Sequence, residues 1–144
     1  MIIRIAIAAV VAASAATAVM AQSDPIAARK GLMKGISSAN TSITQMLDGK
    51  QPFDATKAKA ALMTISDNAS KAPPLFPAES KSGDTKALPT IWATKADFDA
   101  KLAKMSADAK AAADKVTDID SLKTGVGEVR KNCGGCHNVY RAKS

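Results

Sequence analysis

Four stretches of the chain repeat their apolar residues at intervals of three and four, and this pattern limits the possible folds more than any other feature of the sequence. The spacing places the apolar side chains on one face of a helix, so each stretch has a single side to bury. Asp24 is the expected N-cap of the first helix, with Pro25 at its first position, and Gly49 is expected to end it. We expect four helices, over residues 25–47, 54–70, 94–116 and 120–141.

The composition also favours helices over sheets. Of the 144 residues, 47% are apolar but only 3% are aromatic, whereas a β-sandwich or barrel would need more β-branched and aromatic residues. Four of the six prolines lie in residues 72–91, which we expect to form a long connection between the second and third helices. The other connections are short. The sequence therefore predicts an all-α protein, an antiparallel four-helix bundle with one long crossover loop.

The first 21 residues have the layout of a secretory signal peptide. Arg4 supplies a positive charge, residues 5–13 form a short apolar core, and small residues lead to Ala21, after which we expect cleavage. The alternative is a membrane anchor, but the apolar run is short for a span, which needs about 20 residues. Residues 22–144 would then form one exported domain in the periplasm, with no membrane span. Loss of Arg4 lowers the formal net charge from +7 to +6.

Both cysteines and the only histidine lie within five residues, in the sequence CGGCH at positions 133–137. The pattern C-x-x-C-H is the spacing of covalent haem attachment in c-type proteins. On a helix, Cys133 and Cys136 are about 60° apart, and His137 shares their face. The two thiols can form thioethers with the vinyl groups on one edge of the porphyrin, while the imidazole coordinates iron. We therefore expect one covalently attached haem c, with His137 as the proximal iron ligand.

Other chemistries for these residues are less consistent with the chain. A thiol–disulfide redox motif usually opens a helix after a strand, whereas this motif lies near the end of an all-helical chain. A disulfide between Cys133 and Cys136 would close only a tiny loop and stabilise little, and a zinc site would lack a further Cys or His ligand. A non-haem helical thiol protein is the remaining alternative from another class. No phosphate-binding glycine motif occurs, and the dispersed charges do not predict nucleic-acid binding.

The position of the motif, close to the end of an alanine-rich four-helix chain and continued as CHNVYR at 136–141, resembles the class II c-type cytochromes, the cytochrome c′ family. Residues 29–34 (RKGLMK) and 88–92 (LPTIW) resemble two further segments of that family. The resemblance covers the whole chain after the signal peptide. Gly134 and Gly135 depart from it, because helix-forming residues are more usual between the cysteines.

The resemblance also implies a second iron ligand. In this family the residue four positions after the first-helix arginine faces the distal side of the haem, and Arg29 plus four is Met33. Met33 would make the iron six-coordinate and low-spin, as in the methionine-ligated branch of the family, and a thioether ligand raises the reduction potential. A slip of one residue would place Leu32 or Lys34 there instead. The resemblance further implies that Arg29 contacts a haem propionate, with a solvated helix arginine as the alternative. Trp92 is expected to pack either against the haem edge or within the bundle.

The expected function is therefore electron transport by a periplasmic monohaem protein that catalyses no reaction on a bound substrate. Its redox partner proteins are unidentified, and a +6 surface could steer docking to an acidic one. The alternative is a five-coordinate, high-spin cytochrome c′ that binds nitric oxide or carbon monoxide. The resemblance also implies a possible homodimer through the first two helices. The lysines at positions 101, 104 and 110 are expected to serve solubility.

Overall fold

The computed structural model describes residues 24–143, so the expected signal peptide lies outside the described residues. Four long helices begin and end within one or two residues of their predicted positions, which confirms the predicted four-helix bundle. A short helix precedes the third long one. The helices are α1 (Pro25–Leu47), α2 (Ala55–Lys71), α3 (Thr90–Ala93), α4 (Lys95–Lys115) and α5 (Ile119–Tyr140).

The predicted boundaries of α1 follow from local capping chemistry. The Asp24 side chain accepts a hydrogen bond from the backbone N–H of Ile26 at 2.9 Å, and Pro25 occupies the first turn. At the other end, Gly49 has a φ of 69°, in the left-handed region that glycine adopts without a steric penalty. Both boundary predictions are confirmed.

Long helices that are adjacent in sequence pack antiparallel, in the order α1, α2, α4 and α5. Polar contacts fix the register of neighbouring helices. Asn68 Nδ2 of α2 donates to the carbonyl of Leu32 in α1 at 3.2 Å, and Ser66 of α2 donates to the carbonyl of Ser106 in α4 at 2.9 Å. By contrast, few residues of α1 and α5 contact each other. The core between the helices is aliphatic, and its largest fully buried side chains are Ile43, Leu62, Ile65, Val116, Leu122, Val126 and Val129.

The long connection is more ordered than the sequence predicts. It contains two 3₁₀ turns, Pro73–Leu75 and Ala78–Ser80, before it reaches α3. It passes from α2 across α1 to the end of α5, where Ala87 and Arg141 form an isolated antiparallel bridge. None of the helices between residues 24 and 143 has the length and apolar character to cross a membrane.

The glycine pair inside the haem motif does not interrupt α5. A Cβ built at Gly134 or Gly135 meets nothing within 4 Å. Both residues are exposed, so the cost of glycine there is the loss of helix propensity alone. The two glycines between the cysteines therefore do not break the helix, and the helix face that carries the cysteines is continuous.

Candidate functional site

A cavity of about 770 Å³ lies between α1 and α5, where these two helices diverge. Its volume is within the range of small-molecule and cofactor sites, about 300–1,000 Å³. Large apolar side chains from four elements form much of its wall. They are Ile36 of α1, Phe76 of the long connection, Ile91 of α3, and Phe98 and Leu102 of α4.

All three residues of the C-x-x-C-H motif line this cavity. Cys133, Cys136 and His137 lie on the face of α5 that is directed towards α1. Cys133 packs against the aliphatic core of the bundle, and its Sγ lies 3.4 Å from the carbonyl oxygen of Val129. Cys136 packs against the aromatic cluster at the end of the bundle. The two thiols thus span the floor of the cavity along one helix face.

The surroundings keep the three groups in neutral forms. Burial raises the pKa of the thiols of Cys133 and Cys136, an effect that the charge of Arg130 partly opposes at Cys133. Partial burial lowers the pKa of the His137 imidazole, and the charge of Arg141 acts in the same direction. A neutral imidazole is the form that binds a metal ion.

Met33 lines the same cavity from the opposite side, on α1. It is half-buried and packs against both the aliphatic core and the aromatic cluster. Of its two neighbours in sequence, Leu32 is not part of the cavity wall, whereas Lys34 lies at the mouth. The other methionines of residues 24–143 lie elsewhere, at positions 46, 63 and 105.

Arg29 also borders the cavity, but its guanidinium is engaged by the long connection. It is only 3% exposed. One terminal nitrogen donates to the Leu75 carbonyl at 3.2 Å and to Ser80 Oγ at 2.8 Å. The other donates to the Ser80 carbonyl at 3.0 Å and to Thr85 Oγ1 at 2.9 Å, and the group lies over the Phe76 ring. Its contact with a propionate stays a prediction.

Trp92 does not belong to the cavity wall. Its indole Nε1 donates to the carbonyls of Phe76 at 3.0 Å and Pro77 at 3.1 Å. The ring packs against Phe76 from behind, with the centroids 6.2 Å apart. Trp92 therefore supports the residue that forms the wall, and its direct contact with haem stays a prediction.

Sequence reasoning missed the aromatic wall. Phe98 packs edge-on against Phe76 at 4.7 Å and against Tyr140 at 5.2 Å between ring centroids. The Tyr140 hydroxyl donates to Asp97 Oδ2 at 2.6 Å, which holds the end of α5 against α4. The sequence did contain a signal: of its five aromatic residues, three (Phe76, Trp92 and Phe98) lie in or just after the long connection and one (Tyr140) follows the C-x-x-C-H motif.

The residues present fit a covalently bound haem. One wall of the cavity carries two thiols and an imidazole, which is the donor set that covalent haem attachment requires, and the opposite wall carries the Met33 thioether. Its apolar walls suit a porphyrin, and cationic side chains at its mouth suit carboxylate substituents.

Comparisons with known proteins agree with this site. A protein-family model described as Cytochrome C′ matches residues 24–141. The cytochrome c′ of Rhodopseudomonas palustris is 46% identical over 125 residues and covers 86% of each chain. The cytochrome c-556 of Agrobacterium fabrum is 40% identical over 116 residues and covers 80% of this chain and 79% of that one.

Solved structures show the same fold. The structure of cytochrome c′ from Rhodopseudomonas palustris has a TM-score of 0.82 at 45% identity, over 85% of this chain and 99% of that one. The structural model of oxidised cytochrome c556 from the same organism has a TM-score of 0.78 at 29% identity, over 84% and 98%. The chain is thus similar to proteins of both names along nearly its whole described length.

Proposed function

The chain belongs to the cytochrome c′ family, and from that premise we propose that it is a periplasmic electron-transfer protein with His137 and Met33 as the axial iron ligands. The family is one of haem proteins that carry electrons or bind gases, and this chain carries one covalently bound haem c. The proposal assigns the thioether bonds to Cys133 and Cys136. Each S–H would add across a vinyl group, with sulfur bonding one carbon and hydrogen the other.

The observation that carries the proposal is the position of Met33. It lines the cavity from α1, opposite the α5 face that carries His137. When bound, the haem supplies an iron that gains and loses one electron. The Met33 thioether would be a soft ligand that favours ferrous iron, and the apolar walls would pack against the porphyrin. An iron with protein ligands from both α1 and α5 would change its geometry little between its two oxidation states, which suits an electron carrier.

A five-coordinate haem that binds nitric oxide or carbon monoxide is the second candidate. The 46% identity to a protein named cytochrome c′ favours it. Met33 favours the first candidate, the low-spin electron carrier. Its side chain supplies a sulfur donor at a position where an aliphatic residue would leave the iron open to gases. The two candidates differ in spin state, which a spectrum measures directly.

The test is an optical spectrum of the purified holoprotein, oxidised and reduced, with and without carbon monoxide. We expect sharp low-spin bands in both states, a weak far-red methionine–iron band in the ferric state, and no response to carbon monoxide. Met33→Ala should abolish the far-red band and open the iron to carbon monoxide. Leu32→Ala is the matched control, because Leu32 is the adjacent half-buried residue outside the cavity wall, and it should leave the spectrum unchanged.

Two results would contradict the proposal. A broad high-spin spectrum of the unmodified protein that shifts with carbon monoxide would move the function to gas binding. Loss of the low-spin bands in Lys34→Ala, with retention in Met33→Ala, would assign the distal ligand to Lys34.

The proposal includes export, which rests on the signal-peptide pattern of the first 21 residues, and a homodimer, which rests on the resemblance to the family. Export predicts a mature protein that begins at Gln22, which intact-protein mass spectrometry of a periplasmic extract would measure. The dimer would use α1 and α2, whose outer faces form a groove of about 480 Å³ lined mostly by small and polar side chains. Sedimentation velocity would report a mass near twice that of one chain.

A further inference from the structure

Positive charge surrounds the mouth of the haem cavity. Of the residues that line it within 24–143, five are exposed cations and a single one is a carboxylate, Asp84, which lies 2.6 Å from Lys30 Nζ. We call the five cations the cationic rim. They come from α1, the long connection, α5 and the segment after it, and are Lys30, Lys34, Lys86, Arg130 and Arg141.

Four of the five lysines on α4 are different, because each forms an ion pair with a carboxylate one turn away. Lys104 Nζ lies 2.5 Å from Asp108, and Lys110 Nζ lies 3.1 Å from Asp114. Lys101 is paired in the same way with Asp97, at 3.8 Å. The net positive charge of the chain is therefore concentrated at the rim and not on the lysine-rich face of α4.

Two members of the rim, Lys34 and Arg130, are the clearest candidates for contact with an acidic partner. Within the described chain, neither Lys34 nor Arg130 has a carboxylate within ion-pair distance. Arg130 is also oriented: its Nε donates to Asn40 Oδ1 at 3.0 Å and a terminal nitrogen donates to Thr44 Oγ1 at 2.6 Å. These bonds hold an exposed guanidinium across the gap between α5 and α1 without neutralising its charge.

We propose that the cationic rim is the docking surface for an acidic face of a redox partner protein, and that electrons pass through the cavity mouth that the rim surrounds. The inference rests on the proposed electron-transfer function. Clustered charge of one sign around a site raises the rate of encounter with an oppositely charged partner by roughly 10- to 1,000-fold. Asp84 and the two propionates of a haem would together balance at most three of the five cations, so the mouth stays positive.

The test compares two double variants of the holoprotein that change the net charge equally. The rim variant is Lys34→Glu with Arg130→Glu. The control is Lys59→Glu with Lys123→Glu, two exposed residues outside the cavity lining. Lys123 is about 21 Å from His137 along α5, at 1.5 Å of rise per residue. At an ionic strength where the Debye length is about 10 Å, the distant charges are screened and the rim charges act locally.

Stopped-flow rates with two inorganic probes of opposite charge give the first readout. Oxidation by anionic hexacyanoferrate(III) should be about tenfold slower in the rim variant, and reduction by cationic hexaammineruthenium(II) should be faster. The control variant should change either rate by less than about twofold.

The second readout does not involve electron transfer. Redox-inert, paramagnetic hexacyanochromate(III) should broaden the backbone amide signals of the rim residues in the ferrous protein. The rim variant should lose this broadening, whereas the control variant should keep it.

Three results would overturn the inference. Equal rate changes in the rim and control variants would show that total charge, not the rim, directs the encounter. Binding to anionic phosphatidylglycerol vesicles that the rim variant loses would assign the rim to a membrane surface. A haem-bearing protein that exchanges electrons with neither probe would overturn the proposed function, and the rim assignment with it.

Discussion

Arg29 makes four hydrogen bonds and lies over an aromatic ring, all with residues at least 46 positions away in the sequence. Burial lowers the pKa of its guanidinium, but arginine stays charged in proteins. A buried charge without partners is strongly destabilising. The four bonds therefore make Arg29 the point at which the long connection is held against α1, one turn before Met33.

Arg29→Lys should lower the free energy of unfolding by about 2–3 kcal/mol, because an ammonium cannot reproduce the planar fork of donors. Urea denaturation of the holoprotein would measure the loss. Lys30→Gln is the control, since its ion pair with Asp84 is exposed and should contribute little. Equal midpoints for the two variants would show that the connection does not depend on Arg29.

Asp108 joins α4 to the residue before the first cysteine. Its carboxylate accepts hydrogen bonds from Lys104 Nζ at 2.5 Å and from Asn132 Nδ2 at 2.7 Å. The bond from Lys104, and then the bond from Asn132, lower the pKa of Asp108 below its usual 3.8. The unfolded chain therefore binds this proton more tightly than the folded protein does, so the stabilisation is present above that value and is lost as the pH falls through the folded pKa.

Asp108→Asn should therefore reduce the acid sensitivity of the protein. We expect the difference in urea midpoint between about pH 7 and about pH 3 to be smaller in this variant than in the unmodified holoprotein. Asp114→Asn, which removes an exposed pair on the same helix, provides the comparison. An unchanged difference in Asp108→Asn would show that other carboxylates account for the loss of stability in acid.

At the scale of elements, the long helices were predictable because their signals are local. Caps and apolar periodicity depend on residues within a few turns of each other, so the predicted bounds of α1, Pro25–Leu47, agree with the structure. The two 3₁₀ turns and α3 were not predicted. Their shape depends on contacts with distant elements, such as the bond from the Leu88 N–H to the Tyr140 carbonyl at 3.0 Å.

The contact between α4 and α5 is close at one glycine. A Cβ on Gly125 would lie 2.7 Å from Ala112 Cβ and 3.4 Å from Ala112 Cα, whereas a Cβ on Gly127 would meet nothing within 4 Å. Gly127→Ala should therefore raise the free energy of unfolding by about 1 kcal/mol through helix propensity. Gly125→Ala should lower it by about 1–3 kcal/mol, because the helices must move apart.

Chemical denaturation of the two variants, only two residues apart on one helix, measures this difference. Equal effects of both substitutions would mean that α4 and α5 do not approach closely at Gly125.

At the scale of the whole molecule, the divergence of α1 and α5 leaves a cavity that the protein's own side chains do not fill. A tightly packed core has few voids larger than a water molecule. A bundle with a cavity of about 770 Å³ therefore depends on its cofactor for much of its stability. The prosthetic group is in this sense part of the core as well as the redox centre.

Cys133→Ser with Cys136→Ser should prevent covalent attachment and lower the free energy of unfolding by about 3 kcal/mol or more. We expect far-UV circular dichroism to remain helical while the near-UV signal of the aromatic cluster weakens. Unmodified protein made in a host without haem attachment is the matched control and should behave in the same way. Native-like stability in both would show that the bundle packs without its cofactor.

The sequence by itself determined the four long helices and the helix face shared by Cys133, Cys136 and His137, because both depend on spacing along one helix. Met33 became a candidate ligand only through the resemblance to a known family. Only the tertiary structure decided that Met33 lies across a cavity from the motif, that Arg29 is engaged by the long connection, and that five exposed cations meet at one mouth. These facts depend on how separate helices pack, and helix periodicity specifies which face is buried but not which partner buries it.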